Sequence, residues 1–153
     1  MNKIFLTLIL ILGSVSFSFS QDKEARSSID INEIEVWTKN VQLSSKGDTA
    51  SVELYLQSYL KNPRELKLNT FATGLIGGSD KPLWYSTMQM GKVRIHIDDR
   101  QNYLNYLLTR DEPVVLKITT GGWKKQWGKP RQIKLAIEDF EEQGKILEFT
   151  IDL

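Results

Sequence analysis

Apolar residues recur at every second position along most of this chain, the spacing that places side chains on one face of a β-strand. Ile29 and Ile31 share a face, Ile34 and Val36 take the next inward positions, and the slip between Asn32 and Glu33 reads as a bulge or a break. Val41 and Leu43 lead into Ser44-Ser45-Lys46-Gly47-Asp48, a turn by composition. The cleanest strand comes next: Val52, Leu54 and Leu56 alternate with Glu53, Tyr55 and Gln57, and Asn62-Pro63 ends the run. Leu66 and Leu68 continue toward Phe71 and Ala72 as a third strand, after which Gly74, Gly77-Gly78-Ser79-Asp80 and Pro82 mark a long flexible connection. Leu83 to Met90 reads as a fourth strand, and Gly91-Lys92 turns the chain into Val93, Ile95 and Ile97. Beyond Glu112-Pro113 the alternation resumes in Val114, Leu116 and Ile118, in Ile133, Leu135 and Ile137, and in Leu147, Phe149, Ile151 and Leu153.

One segment departs from this period. Asp98 or Asp99 offers an N-cap, and behind it Tyr103 and Leu107, with Leu104 and Leu108, recur at i and i+4, which predicts a short connecting helix near residues 99–109. About seven or eight alternating strands with turns roughly every ten residues predict an all-β fold, an antiparallel sandwich of the immunoglobulin-like type. The sandwich is expected to occupy residues 29–153 as one domain, since no internal repeat and no second domain is visible in the sequence.

The N-terminus has a different pattern. Lys3 precedes the uncharged run Ile4 to Leu12, and Ser18 and Ser20 fall at small-residue positions before Gln21, so residues 1–20 read as a cleavable signal peptide, with Ser18 as the alternative cut site. The apolar run is short of the roughly 20 residues that span a bilayer. Residues 21–28, polar and mixed in charge, read as a flexible lead. The expected location is therefore extracytoplasmic, in a periplasm or secreted, with no membrane anchor once the signal is removed.

Charge and cysteine content then narrow the chemistry. The full chain has 20 Lys and Arg against 19 Asp and Glu, and loss of Lys3 leaves 19 of each, a formally neutral product with no global field for nucleic acid or an anionic membrane. With no cysteine, disulfides, thiol chemistry and a lipidated cysteine are all excluded, and an exported protein of this composition fits a bacterial origin.

Candidate chemistry is sparse. His96 is the only histidine; on a strand it shares a face with Arg94 and Asp98, and a hydrolase arrangement would need Ser86 or Ser79 brought beside it. Alternation alone explains the same residues as a polar stripe. One histidine and no cysteine argue against structural zinc, and the carboxylates around Glu141-Glu142 lack calcium-loop spacing and read as a solvated turn. Gly77-Gly78 lacks the Lys-Ser/Thr of a phosphate loop, so no cofactor is expected.

The most informative stretch is Gly121 to Arg131, in which Trp123 and Trp127 alternate with Lys124, Lys125, Lys129 and Arg131 and no acid intervenes. Two readings stand. In one, the indoles fold back as lids on the core and the lysines keep a loop soluble; in the other, Trp123 and Trp127, joined by Trp84, make a stacking surface for a ligand. The functional expectation is a non-enzymatic binding or interaction module for an unknown protein or cell-envelope glycan. The alternatives are a carbohydrate-binding domain using the Trp-rich basic loop and a small hydrolase centred on His96.

Overall fold

The structure, a computed structural model, describes residues 28–79 and 81–153. The signal peptide expected at 1–20 and the lead at 21–27 lie outside the described residues; Ser28, expected to end the lead, opens the first strand. In chain order the strands are β1 (Ser28–Ile31), β2 (Ile34–Leu43), β3 (Thr49–Ser58), β4 (Arg64–Asn69), β5 (Gly74–Ile76) and β6 (Leu83–Trp84). The second half adds β7 (Thr87–Met90), β8 (Val93–His96), β9 (Tyr103–Leu108), β10 (Val114–Gly121), β11 (Gln132–Glu138) and β12 (Ile146–Asp152). Single 3-10 turns occur at Ile97–Asp99 and Lys125–Trp127. Among the described residues no helix is long and apolar enough to cross a membrane.

The strands form two antiparallel sheets, one in the order β1-β2-β3-β10-β7-β8, the other β6-β5-β11-β4-β9 with β12 on the far side of β11. Alternation explains the sandwich: Ala50, Val52, Leu54, Leu56 and Ser58 of β3 are buried while their neighbours are half-exposed. Leu54, Leu116, Leu68, Leu104 and Ile133 all belong to a single core cluster fed by both sheets.

The strand count exceeds the expected number because several runs are interrupted. The slip at Asn32-Glu33 is neither a bulge nor a simple break but a two-residue hairpin turn, with both residues at positive φ (48° and 63°) and Ile31 facing Ile34. Gly74, expected in a flexible connection, is a buried strand residue of β5. The expected fourth strand is divided: β6 belongs to the second sheet and β7 to the first, and the chain crosses between them at Tyr85, which is buried, and Ser86. Ser86 is fixed there on three sides, since its N–H donates to Thr119 O (2.7 Å), its carbonyl accepts from Ile97 N–H (3.1 Å) and its Oγ accepts from Gly121 N–H (2.8 Å).

The helix expected near 99–109 is absent. Only Ile97–Asp99 makes a 3-10 turn, with Asp99 Oδ2 accepting from His96 N–H (2.7 Å), and Tyr103–Leu108 is strand β9, paired with β4 so that Leu104 faces Leu68 and Tyr106 faces Leu66. The reason is that a separation of four residues satisfies both periods. The discriminating position is i+2: Leu104, Tyr106 and Leu108 point toward the core, whereas Leu107, which a helix would have buried beside Tyr103, is 60% exposed.

In the second sheet, β4 and β5 lie one after the other along the same edge of β11, with Leu68 opposite Ile137 and Leu75 opposite Ile133. Residues 70–73 bulge out between them, leaving Ala136 N–H without a ladder carbonyl. Thr73 Oγ1 accepts that hydrogen bond (3.1 Å), and Asn69 Oδ1 accepts from Phe71 and Ala72 N–H (both 3.0 Å) to shape the bulge. Thr70 completes it, donating from N–H to Asn102 O (3.0 Å) and from its hydroxyl to Gln101 O (2.5 Å).

The outer face of the first sheet carries a cross-strand row of polar side chains. Arg94 donates to Gln89 Oε1 (3.0 and 2.6 Å), and Glu53 is held between Lys117 (3.1 Å) and Lys39 (3.2 Å). The hydrogen bond from Lys117, then that from Lys39, keeps the Glu53 carboxyl below its ordinary value of 4.5.

Thr73→Val, similar in size but without the acceptor, is expected to destabilise the fold by about 1–3 kcal/mol because it strands a buried N–H, while Thr73→Ser loses less; urea unfolding of the two variants makes the comparison. For Glu53, the lowered folded pKa means its stabilising contribution is complete above the ordinary carboxylate range and is lost as pH falls through the folded value. Stability measured between pH 6 and pH 3 should therefore decline less steeply in Glu53→Gln than in the parent, and identical slopes would refute the assignment.

Candidate functional site

The Trp-rich loop, residues 122–131, follows β10 and closes one end of the sandwich. Its position is set by backbone first. Trp123 N–H donates to Asp48 O (3.0 Å) in the β2–β3 turn of the first sheet, and Arg131 N–H donates to Ile76 O (2.9 Å) at the end of β5 in the second. The loop thus straddles both sheets. Arg131 adds a side-chain clamp, with Nε (3.1 Å) and Nη2 (2.5 Å) both donating to Gly77 O.

Between these anchors Trp123 is buried at 3% exposure and belongs to the core, and its Nε1–H donates to Gly128 O (2.8 Å), so the one polar atom of the ring is satisfied inside the loop. Trp127, half-buried, meets it edge to face with centroids 5.4 Å apart. The two indoles lie against Gly77 and Gly78, where a Cβ would collide with Trp123 and Trp127 respectively. The glycines expected only to bend a connection therefore form the floor on which the indoles rest, a close approach that any side chain would block.

The lysines of the loop point the other way. Lys124, Lys125 and Lys129 are exposed, with Lys124 Nζ 5.3 Å from the Trp127 ring centroid and the stem of Lys125 packed over Gly47; Arg131 is also exposed, though its guanidinium is engaged with Gly77 O. Lys46 of the β2–β3 turn and Lys81 before β6 are exposed at the same end and join them. Neither was marked by its sequence context, because only the topology brings residues 44–48, 77–82 and 122–131 together. None of these six cations makes an ion pair with a carboxylate among the described residues. The turn itself is stiff: Ser44 Oγ accepts from Gly47, Asp48 and Thr49 N–H and donates to Asp48 Oδ1 (2.8 Å), and the Ser44 and then Thr49 hydroxyls hold the Asp48 carboxyl below its ordinary range.

Of the expected site residues, the structure unites Trp123, Lys124, Lys125, Trp127, Lys129 and Arg131 but turns Trp123 into core, so it has no ring face to offer a ligand. Trp84 is 49% exposed on β6, opposite Gly74, and no ring contact joins it to either indole among the described residues. The three tryptophans do not form one platform. A different aromatic pair, Trp37 and Tyr55, lies on the outer face of the first sheet with centroids 5.2 Å apart.

His96 is exposed on β8 across from Thr87. The carboxylate that reaches this residue is Asp99, not Asp98, and it accepts the backbone N–H, not an imidazole proton. Ser86 Oγ is engaged with Gly121, and Ser79 Oγ donates to Lys81 O (3.4 Å), so neither serine is hydrogen-bonded to His96. No group of three or more His, Asp or Glu side chains among the described residues is placed to hold a metal ion.

The fold places the chain among two-sheet antiparallel β-sandwiches. No family model and no curated protein matches it. Among solved structures it is similar to the solution NMR structure of a conjugate transposon protein, residues 27–141, from Bacteroides vulgatus, at 14% identity and a TM-score of 0.35, covering 84% of this chain and 91% of that one. A likeness of that size carries no argument about what the chain does.

Trp123→Ala should destabilise the domain by about 3–5 kcal/mol and Trp127→Ala by distinctly less, as measured by urea unfolding followed by circular dichroism. Equal, small effects would mean that the indole is not part of the core.

Proposed function

We propose that this chain is an exported, non-enzymatic binding module, periplasmic or secreted, that engages a protein or cell-envelope partner through the cationic loop end of its sandwich. One observation supports this most directly: six exposed cations, none paired with a carboxylate among the described residues, gathered on a surface whose backbone is tied into both sheets. Unpaired lysines on a rigid support offer an anionic partner charge at little cost in ordering the loop, and such contacts raise association rates and weaken with salt.

The carbohydrate-binding reading retains Trp127 and Trp84, one half-buried and one exposed on a separate strand, which is less than a continuous stacking surface. The hydrolase reading is left without a base oriented toward a nucleophile.

Site-specific photo-crosslinkers placed at Lys124 or Lys129, compared with Arg94 on the outer face of the first sheet, test the proposal in cells of the native host. Adducts are expected from the loop positions, and they should diminish as salt is raised in the extracellular or spheroplast medium. Adducts arising equally from Arg94, or from Arg94 alone, would reject the loop end as the docking surface.

A further inference from the structure

The two ends of the molecule are opposite in charge. At the loop end, residues 44–48, 77–82 and 122–131 contain six cations and two carboxylates by sequence. The far end is built from residues 32–33, 59–63, 91–92, 109–113 and 139–145, which contain six carboxylates and four cations. It too is tied together: Tyr59 N–H donates to Glu33 O (3.2 Å), Asp111 N–H donates to Ser58 O (3.0 Å), and Arg64 donates to Asn32 O while its guanidinium stacks 3.8 Å above Phe140.

That acidic end contains an open pocket of ≈ 290 Å³ lined by Glu65, Lys67, Glu138, Asp139, Phe140 and Glu141, among others. Its charges divide into two sets. Glu138 is neutralised by Lys67 (3.4 Å), and Asp139 by Lys145 (3.3 Å). The backbone N–H of Glu141, then Lys145, keeps the Asp139 carboxyl below its ordinary range. Glu65 and Glu141, both exposed, form no ion pair among the described residues.

We infer that the chain associates head to tail with further copies of itself, the cationic loop end of one molecule docking on the acidic end of the next, with Lys124 or Lys129 directed at the Glu65 and Glu141 side of the pocket. This rests on the loop end being a docking surface and names its occupant as a second copy. The formally balanced charge of the exported chain favours such an arrangement, since each pole has a complement of the opposite sign on every other copy. A two-fold contact of either end with itself would oppose like charges, which leaves the heterologous contact, and that contact extends into chains unless its rotation closes a ring.

Sedimentation velocity of the signal-free chain tests this at about 20 mM and about 500 mM salt, at protein concentrations up to about 1 mM. Species heavier than the monomer are expected at low salt and are expected to disappear at high salt. Removing one cation should weaken association roughly two- to fivefold. Lys124→Gln with Lys129→Gln, and Glu65→Gln with Glu141→Gln, should each reduce self-association, while an equimolar mixture of the two double variants should form a dimer that does not grow, because one intact pole survives on each molecule. A parent that stays monomeric at low salt, or association that neither pair of substitutions alters, overturns the self-assembly. If crosslinks from Lys124 or Lys129 then lead to a different molecule, the loop-end reading stands without it.

Discussion

The burial of one indole organises this end of the molecule. A sandwich without cysteine has no covalent clip to close its open ends, and here Trp123 closes one by sitting between a turn of the first sheet, whose Asp48 carbonyl receives its backbone N–H, and the bare backbone of Gly77 at the exit of the second. A ring of this size removes much apolar surface from water, but only because its N–H is satisfied by Gly128 O within the same loop. The loop is consequently fixed at several points, and its lysines, unable to follow the indoles inward, are left outside on a stiff base.

The rest of the architecture shows the same division between apolar packing and local polar repair. Long alternating runs pair into ladders without assistance. Where a run must break, polar side chains take over: buried Thr73 replaces the missing ladder carbonyl for Ala136, buried Thr70 and half-buried Asn69 shape the bulge, and half-buried Ser86 holds the point at which the chain leaves one sheet for the other. The two buried threonines are costly to bury unless bonded, so their positions are specified more tightly than those of their apolar neighbours.

Charge follows topology in a way that net composition conceals. A formal net charge of only +1 describes the chain as a whole, yet hairpin connections alternate between the two ends of a sandwich, and the cations gather at one set of connections while carboxylates dominate the other. The separation of charge therefore lies between the two ends, and the whole-molecule charge says little about it.

The sequence by itself determined the all-β architecture, the individual ladders with clean alternation, the absence of thiol chemistry and the presence of a basic loop bearing two tryptophans. These follow from period, composition and local turn chemistry, which act over a few residues. Tertiary structure decided the identity of residues 103–108, since Leu104 and Leu108 are spaced for either helix or strand and only the partner β4 resolves them. It also decided which face the indoles took. Whether Trp123 stacks on a ligand or seals the core depends on Gly77, 46 positions earlier in the chain, coming to lie beneath it. Lys46 and Lys81 entered the site for the same reason: contacts between residues far apart in sequence are set by the packing of two sheets, and no local pattern in the chain encodes them.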